Sequence, residues 1–495
     1  MWSKLVARSS RANLFCLLTF IVGTVIRWRY IFVVHDPRNS VDSDMKLYID
    51  LAKRYAQPNF VPGVGDVMHP PGAAFVFSRL YRADPTLLLA CRFQFVITAL
   101  LPLVVLALGV LAFGKNTGKV AFAISCLYFP FIDYGGYFLT EIPMAILMTA
   151  TIAVFLWATQ RVRPGAVFAG ALAAGFVCSL AMAYKFLAMP VMLCFAGVHW
   201  LFYVGPTRRM KTLAVVGLLA GSIPLTAALT SRCTTANMGR FCLISSKGPA
   251  DFLLGHYGRI ESLRWISKDG HSSYTFGSPS AFQHGYRGKP EVHFALTDGK
   301  ENSEEAVKWI KQNPTEAAVL SLEHVYDIFC GAMPWPGAAS GFWMMSEVFH
   351  FVFIVLLLIP CLLFAFDLIK THGFRGYLGR MEFLVFSPIL GLMAAVAIAT
   401  GEPRYRVPFD TIFIVLAAEF YRRYLGPALG VQREKDEAVP APKKDEALSV
   451  EPNEAKDDKP SPVEAKEDKP SPAEVKEDKA EPEAPAESDD QPLPA

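Results

Sequence analysis

FLTEIPMAILMTATIAVFLWAT occupies residues 138–159. Beyond Glu141 this stretch carries no charge before Arg161, so it is long and apolar enough to cross a bilayer as one helix. It also opens on an acid, in Thr140-Glu141-Ile142-Pro143. A helix start needs no more than this, with Thr140 as cap and Glu141 and Pro143 in the first turn. Asp133 and Tyr137 just upstream weigh against capping alone, because acids at both ends of a broken span are costly unless they line a cavity.

Runs of the same character lie on both sides, at 12–34, 87–113, 116–132, 164–184, 186–204, 211–231, 346–368, 380–399 and 407–424. Together they predict an all-α polytopic membrane protein with about ten transmembrane helices. If the N-terminus is cytoplasmic, the inner connections contain Lys115 and Lys119, Arg161 and Arg163, Arg208 with Arg209 and Lys211, then Lys370, Arg375 and Arg380, and finally Arg422 with Arg423. Each is basic, as the positive-inside rule requires. Both termini are therefore expected in the cytoplasm, the membrane being a bacterial inner membrane. Lys4, Arg8 and Arg11 precede an apolar stretch without a small-residue cleavage site, which reads as an uncleaved first span. Pro130, Asp133 and Pro143 interrupt residues 116–143 and leave open whether these form two clean crossings.

The 495 residues are 52% hydrophobic with mean hydropathy +0.30, an average lowered by a polar C-terminus. From position 431 onward there are 20 acidic and 10 basic residues, so a tail of net charge −10 hides a charge of +13 on residues 1–430. The tail repeats a decapeptide: EAKDDKPSPV at 454–463, EAKEDKPSPA at 464–473 and EVKEDKAEPE at 474–483. Such a composition cannot bury enough apolar surface to offset chain entropy. Residues 1–425 are thus expected to form the membrane domain and 426–495 a disordered tail, a spacer or a docking strip for a partner. No nucleic-acid partner is expected; the lipid bilayer is. Cys16, Cys91, Cys126, Cys178, Cys194 and Cys361 lie in apolar runs, where a small hydrophobe suffices. Cys233 and Cys242 fall in a loop placed outside, where a disulfide between them is compatible with the compartment.

Chemistry-bearing residues gather on one side of this topology. The first outer loop, 35–85, contains Asp42-Ser43-Asp44 ahead of a helical stretch from Asp44 to Tyr55, in which Met45, Tyr48, Ile49, Ala52 and Tyr55 recur at helical spacing. An acid there stands at the mouth of an outward cavity and is placed to accept a proton, although Asp is equally a preferred N-cap. His69-Pro70-Pro71-Gly72 is a rigid turn whose imidazole suits a phosphate or a substrate hydroxyl, or solvent. Lys185 separates two spans joined by almost no loop; it either snorkels or offers a cation to an anionic headgroup. Glu402-Pro403-Arg404-Tyr405-Arg406 lies between the last two spans, where two outward arginines run against the inside bias and suit phosphate oxygens. Arg27 and Arg29 face either the same cavity or the headgroups. The second outer loop, 232–345, has a helical piece from Glu304 to Phe329 and an aromatic patch at 333–343. Its His256, His271, His284 and His293 have no ligand spacing, so no metal site is expected.

In their order and shared membrane side, these features resemble the C-type (GT-C) glycosyltransferases that use polyprenyl-phosphate sugars, in the branch of the protein O-mannosyltransferases and the lipid A aminoarabinose transferase. The resemblance is carried by Asp42-Ser43-Asp44 with Tyr48, His69-Pro70-Pro71-Gly72, Thr140-Glu141-Ile142-Pro143, Lys185 with Pro190, Trp309 to Pro314, and Glu402-Pro403-Arg404-Tyr405-Arg406-Val407-Pro408. It implies an inverting transfer from a polyprenyl-phosphate-linked sugar to the hydroxyl of an unidentified extracytoplasmic acceptor. Asp42 or Asp44 would be the base, with Glu141 also in the catalytic set. Tyr48, His69, Lys185, Arg404, Tyr405 and Arg406 would bind substrate, the cations neutralising the departing lipid phosphate, with no cofactor. Ser43 separates acids that are often adjacent in the family, so the choice between Asp42 and Asp44 stays open. The competing class is a transporter or lipid flippase, against which stand the absence of an internal repeat in the membrane part and the two unequal outer loops.

Overall fold

Proline, glycine and the first polar residues beyond each apolar run set where its helix begins and stops. The computed structural model describes residues 2–41, 44–268, 273–330, 348 and 350–427. Helix α1 (Trp2–Arg29) continues as a wider π-type turn over Tyr30–Val34. The first loop supplies α2 (Asp44–Ala56) and α3 (Gly72–Ala83). Then follow α4 (Leu88–Phe113), α5 (Lys115–Leu127), α6 (Phe129–Gly135), α7 (Glu141–Thr159), α8 (Pro164–Tyr184), α9 (Ala188–Leu201) and α10 (Arg208–Ala236). The second loop holds α11 (Gly248–Gly255), α12 (Pro279–His284), α13 (Gly299–Gln312) and α14 (Pro314–Cys330). Helices α15 (Ile359–Leu378), α16 (Met381–Ile398), α17 (Pro403–Arg406) and α18 (Asp410–Tyr424) complete the described chain.

Seven described helices are long and apolar enough to cross a membrane: Ala12–Val34, α4, α7, α8, α10, His350–Leu378 and α16. The other three expected spans are shorter here. Residues 186–204 reduce to α9, and 407–424 become α18 behind a 3-10 turn at Val407–Phe409. The expected span at 116–132 is broken, since Tyr128 is extended and Pro130 sits in the first turn of α6. The break frees carbonyls at the end of α5, and the buried Arg27 guanidinium donates to those of Ser125 and Cys126. Arg27 therefore braces the bundle interior.

Leu14, Phe15, Leu18, Ile21 and Val22 of α1 are exposed, as are Phe351, Leu362, Leu363 and Phe366 along His350–Leu378. Apolar stripes of this kind need lipid as their solvent. Helix α7 is mostly buried and packs against α4 and α8. Helices α8 and α10 approach closely because Gly175 and Gly221 have no side chain: a Cβ at either would lie 2.0 Å from a carbonyl oxygen of the other helix, Leu218 or Leu172.

The expectation of an all-α protein needs one correction. In the second loop, Ser262–Ile266 pairs antiparallel with Ser273–Gly277 and parallel with Glu291–Val292. Leu263 and Trp265 alternate inward, and Trp265 Nε1 donates to Asn302 Oδ1 at 2.8 Å, fixing the sheet to α13. Met68 of the first loop joins the same apolar cluster, so the two loops pack on one another. The expected helix from Glu304 to Phe329 is two helices, divided at Asn313 before Pro314. Helix α2 matches the expected helical stretch from Asp44 to Tyr55, with Met45, Tyr48, Ile49 and Ala52 buried. Cys233 and Cys242 form a disulfide. Asp42, the aromatic patch at 333–343 and the repeat tail lie outside the described residues.

Candidate active site

Where the two loops meet the helix ends, a cavity of about 550 Å3 is lined by Asp44, Tyr48, His69, Lys185, Arg404 and Tyr405, together with Lys247 and Asp251. Asp44 and Tyr48 stand one helical turn apart on α2 and so share a face. His69 comes from the rigid turn before α3. Lys185 is where α8 stops, its backbone extended at φ −147° and ψ 125°, and α9 begins three residues later. The segment carrying Arg404 is seated by Gly401, where a Cβ would fall 1.9 Å from the His324 carbonyl oxygen of α14.

The charges are paired across these elements. Arg404 donates from Nη1 to Asp44 Oδ2 at 2.9 Å and from Nε to Glu402 Oε2 at 2.6 Å. Lys185 Nζ lies 2.6 Å from Oε1 of Glu141, which is buried at the start of α7 and whose Oε2 has no hydrogen-bond partner among the described residues. Lys247 Nζ lies 3.2 Å from Asp251 Oδ1, one turn along α11. Tyr405 sits between two cations, its ring centre 4.8 Å from Lys185 Nζ and 5.6 Å from Arg404 Cζ.

Burial and these charges set the protonation states. Burial pushes the Asp44 carboxyl up, but the charges of Arg404 and Lys247 outweigh it and hold the group well below the usual carboxylate range. Burial raises the Glu402 and Asp251 carboxyls, against the pull of Arg404 on the one and Lys247 on the other. Burial, reinforced by Lys247, lowers His69 to about 3. Its neutral ring meets Tyr48 edge to face at 5.8 Å, and its buried Nε2 has no hydrogen-bond partner among the described residues. The imidazole is thus a neutral hydrogen-bonding group presented to the cavity.

Arg406 does not line the cavity. It is fully buried, donates from Nε to Asp410 Oδ1 at 2.8 Å and from Nη1 to the Ile328 carbonyl at 3.2 Å, and stacks over Phe353 at 3.5 Å. Asp410 also accepts from Tyr128 at 2.7 Å. Arg404 and Arg406 lie two residues apart on the short helix α17, about 200° around its axis, and therefore serve opposite sides. Glu141 does not line the cavity either; it lies behind Lys185 and pairs with it.

Sequence reasoning missed Lys247 and Asp251 because a Lys and an Asp at i, i+4 in a loop usually mark a solvated helix face. The Gly248-Pro249 start of α11 between them was the available signal. Among the described residues, no group of three or more His, Cys, Asp or Glu side chains is placed to hold a metal ion. Chemically, the site can receive an anion among Lys185, Lys247 and Arg404, and it holds an ionised carboxylate within reach of the same ligand.

A second cavity of about 550 Å3, almost wholly apolar, lies among α8, α9 and α10 and is lined by Met182, Met192, Leu218 and Ile223. Met189 and Leu243 line both cavities.

No protein-family model matches the chain, and no curated protein matches it in sequence. In backbone it is similar to solved structures of the oligosaccharyltransferase of Archaeoglobus fulgidus. Archaeal oligosaccharyltransferase AglB in complex with an inhibitory peptide and a dolichol-phosphate aligns with TM-score 0.48 and 13% identity over 84% of this chain and 52% of that one. The apo form aligns with TM-score 0.48 and 12% identity over the same shares, and the complex with Zn and sulfate with 0.47 and 13% over 84% and 51%. The present chain spans about half the length of the chains it resembles.

Proposed function

We propose that this chain is an integral membrane glycosyltransferase that moves a sugar from a polyprenyl-phosphate donor to an acceptor hydroxyl, with inversion, on the extracytoplasmic side. The observation that carries the reading is that a cavity lined by three cations and two carboxylates shares Met189 and Leu243 with an apolar cavity beside it. A lipid monophosphate bearing a sugar has that division of chemistry.

In this reading the acceptor oxygen attacks the anomeric carbon of the sugar from the face opposite the phosphate. The bond from that carbon to the phosphate oxygen breaks, and its electron pair leaves on the lipid phosphate. Arg404 and Lys185 neutralise that developing charge, with Lys247 as a third cation. Asp44 takes the acceptor proton as general base. Asp42, outside the described residues, is the alternative base. Tyr405 spaces the two cations, His69 and Tyr48 orient hydroxyl groups, and Glu141 positions Lys185 from behind.

Membranes carrying the protein are expected to transfer radiolabelled sugar from a panel of polyprenyl-phosphate donors. Asp44→Asn, which keeps the shape and capping ability of the residue, should lower transfer by about 100-fold or more at normal protein level. Full activity in Asp44→Asn with loss in Asp42→Asn would move the base to Asp42. Full activity in both would refute the assignment, and movement of intact lipid without sugar transfer would favour a flippase.

A further inference from the structure

We infer that Arg404 and Asp44 form a latch: the guanidinium keeps the carboxylate engaged until an anionic donor headgroup takes its place, so that the base is released only when the donor is seated. This rests on the reading of Asp44 as base. It adds an order to the reaction, donor before acceptor, and a reason for that order.

The geometry singles out Asp44 as the exchangeable partner. Arg404 has two carboxylates, and they are not equivalent. Glu402 stands two residues away in the chain, holds Nε at 2.6 Å and leaves 8% of its side chain accessible. Asp44 comes from a separate helix, holds Nη1 at 2.9 Å and leaves 29% accessible. Glu402 therefore fixes the guanidinium, and Asp44 closes its cavity side. With Nε committed to Glu402, a phosphate approaching from the cavity must use the terminal amino groups, where it meets the Asp44 carboxylate anion against anion. Nη1 already carries Asp44, so a phosphate that grips both terminal amino groups requires Asp44 to leave.

Once displaced, Asp44 loses its hydrogen bond from Arg404 and gains a phosphate as neighbour. Both changes increase its affinity for a proton. A carboxylate locked on a guanidinium is a poor base with one oxygen occupied. After exchange, that oxygen is free for the acceptor hydroxyl. The cavity still holds Lys185 and Lys247 to share the charge of the incoming headgroup. The same exchange protects the enzyme against deprotonating an acceptor, or water, before a donor is present.

The test is binding of a short-chain polyprenyl monophosphate without sugar, measured by titration calorimetry on the full-length protein in nanodiscs. Because Asp44 competes with the ligand for Arg404, Asp44→Asn should bind it about tenfold or more tightly, although it has lost the base. Asp44→Ser serves as a second, smaller uncharged variant. In an Arg404→Ala background the gain from Asp44→Asn should shrink to about threefold or less, since the contested group is gone. Unchanged or weaker binding by both Asp44 variants would overturn the latch. An equal gain in both backgrounds would also overturn it, showing only the general field of the carboxylate. Sugar transfer is measured separately: a wild-type protein that transfers no sugar from any donor, yet shows the expected exchange, would sink the glycosyltransferase reading and leave the exchange standing.

Discussion

Replacing Arg404 and Arg406 one at a time should produce two different failures, although the residues are almost adjacent in the chain. Arg406 is the only cation bonded to Asp410 among the described residues, and both are essentially inaccessible. Arg406→Ala leaves that carboxylate buried with Tyr128 alone, removes a donor from the Ile328 carbonyl and empties the space over Phe353. Breaking such a pair from one side costs about 3–5 kcal/mol, a large share of a typical folding free energy. Arg406→Lys keeps the charge but loses the fork and the flat contact with the ring, so it should recover part of this. Arg404 faces the cavity, and its charged hydrogen bonds to a phosphate are worth about 1.5–3 kcal/mol, or about 10- to 150-fold in donor affinity. The assay pairs thermal stability and membrane abundance with apparent donor affinity in all four Ala and Lys variants. Arg406 variants should lose stability and keep the donor affinity of whatever protein survives, while Arg404 variants should lose donor affinity, Ala more than Lys. A stable Arg406→Ala protein with weakened donor binding would refute the division, as would an Arg404→Ala protein with unchanged affinity.

Three further outcomes follow from the site and its surroundings. Because burial and Lys247 hold His69 near 3, its ring does not change charge between about pH 5 and 8; transfer should show no histidine step there, and one that disappears in His69→Gln would contradict this. Leu243→Trp crowds the boundary shared by the two cavities and should cut transfer from long-chain donors by at least about tenfold while sparing short-chain ones, and equal loss for both would remove the apolar cavity as the chain's seat. Truncation after Pro427 keeps Tyr424, which bonds Asp367 and packs on Phe364, and should leave transfer in isolated membranes unchanged; a well-expressed inactive truncation would give the tail a role in the chemistry.

What could be read from the sequence was whatever repeats with a local period. Helix α2 was visible because Met45, Tyr48, Ile49 and Ala52 recur at helical spacing, and Asp44 was legible as the acid at its start. The long spans were visible from length and apolarity. The break at Tyr128 was signalled by Pro130, but not the side chain that heals it, because Arg27 reaches its carbonyls from 98 and 99 residues away. Ion-pair partners were hidden for the same reason: Lys185 finds Glu141 across 44 residues and Arg404 finds Asp44 across 360. Arg406 was grouped with Arg404 because both lie in one short run. Only the knowledge that Pro403–Arg406 turns as a helix separates their directions. The small sheet in the second loop was missed because its strands are at most five residues long, too short for alternation to stand out.

The pairing explains how so many charges can gather at one end of an apolar bundle. Lys185, Lys247 and Arg404 are each matched by an internal carboxylate, so the cavity does not hold unpaired cations in a poorly solvated wall. Binding an anion there is consequently an exchange, and its free energy is the difference between the new contacts and the internal ones given up. A polyprenyl chain moving from lipid into the apolar cavity gains little by transfer alone, since both surroundings are apolar. Selection of the donor in this reading falls on the headgroup exchange, and above all on Arg404, whose cavity-side partner is the same carboxylate that the reaction requires as its base.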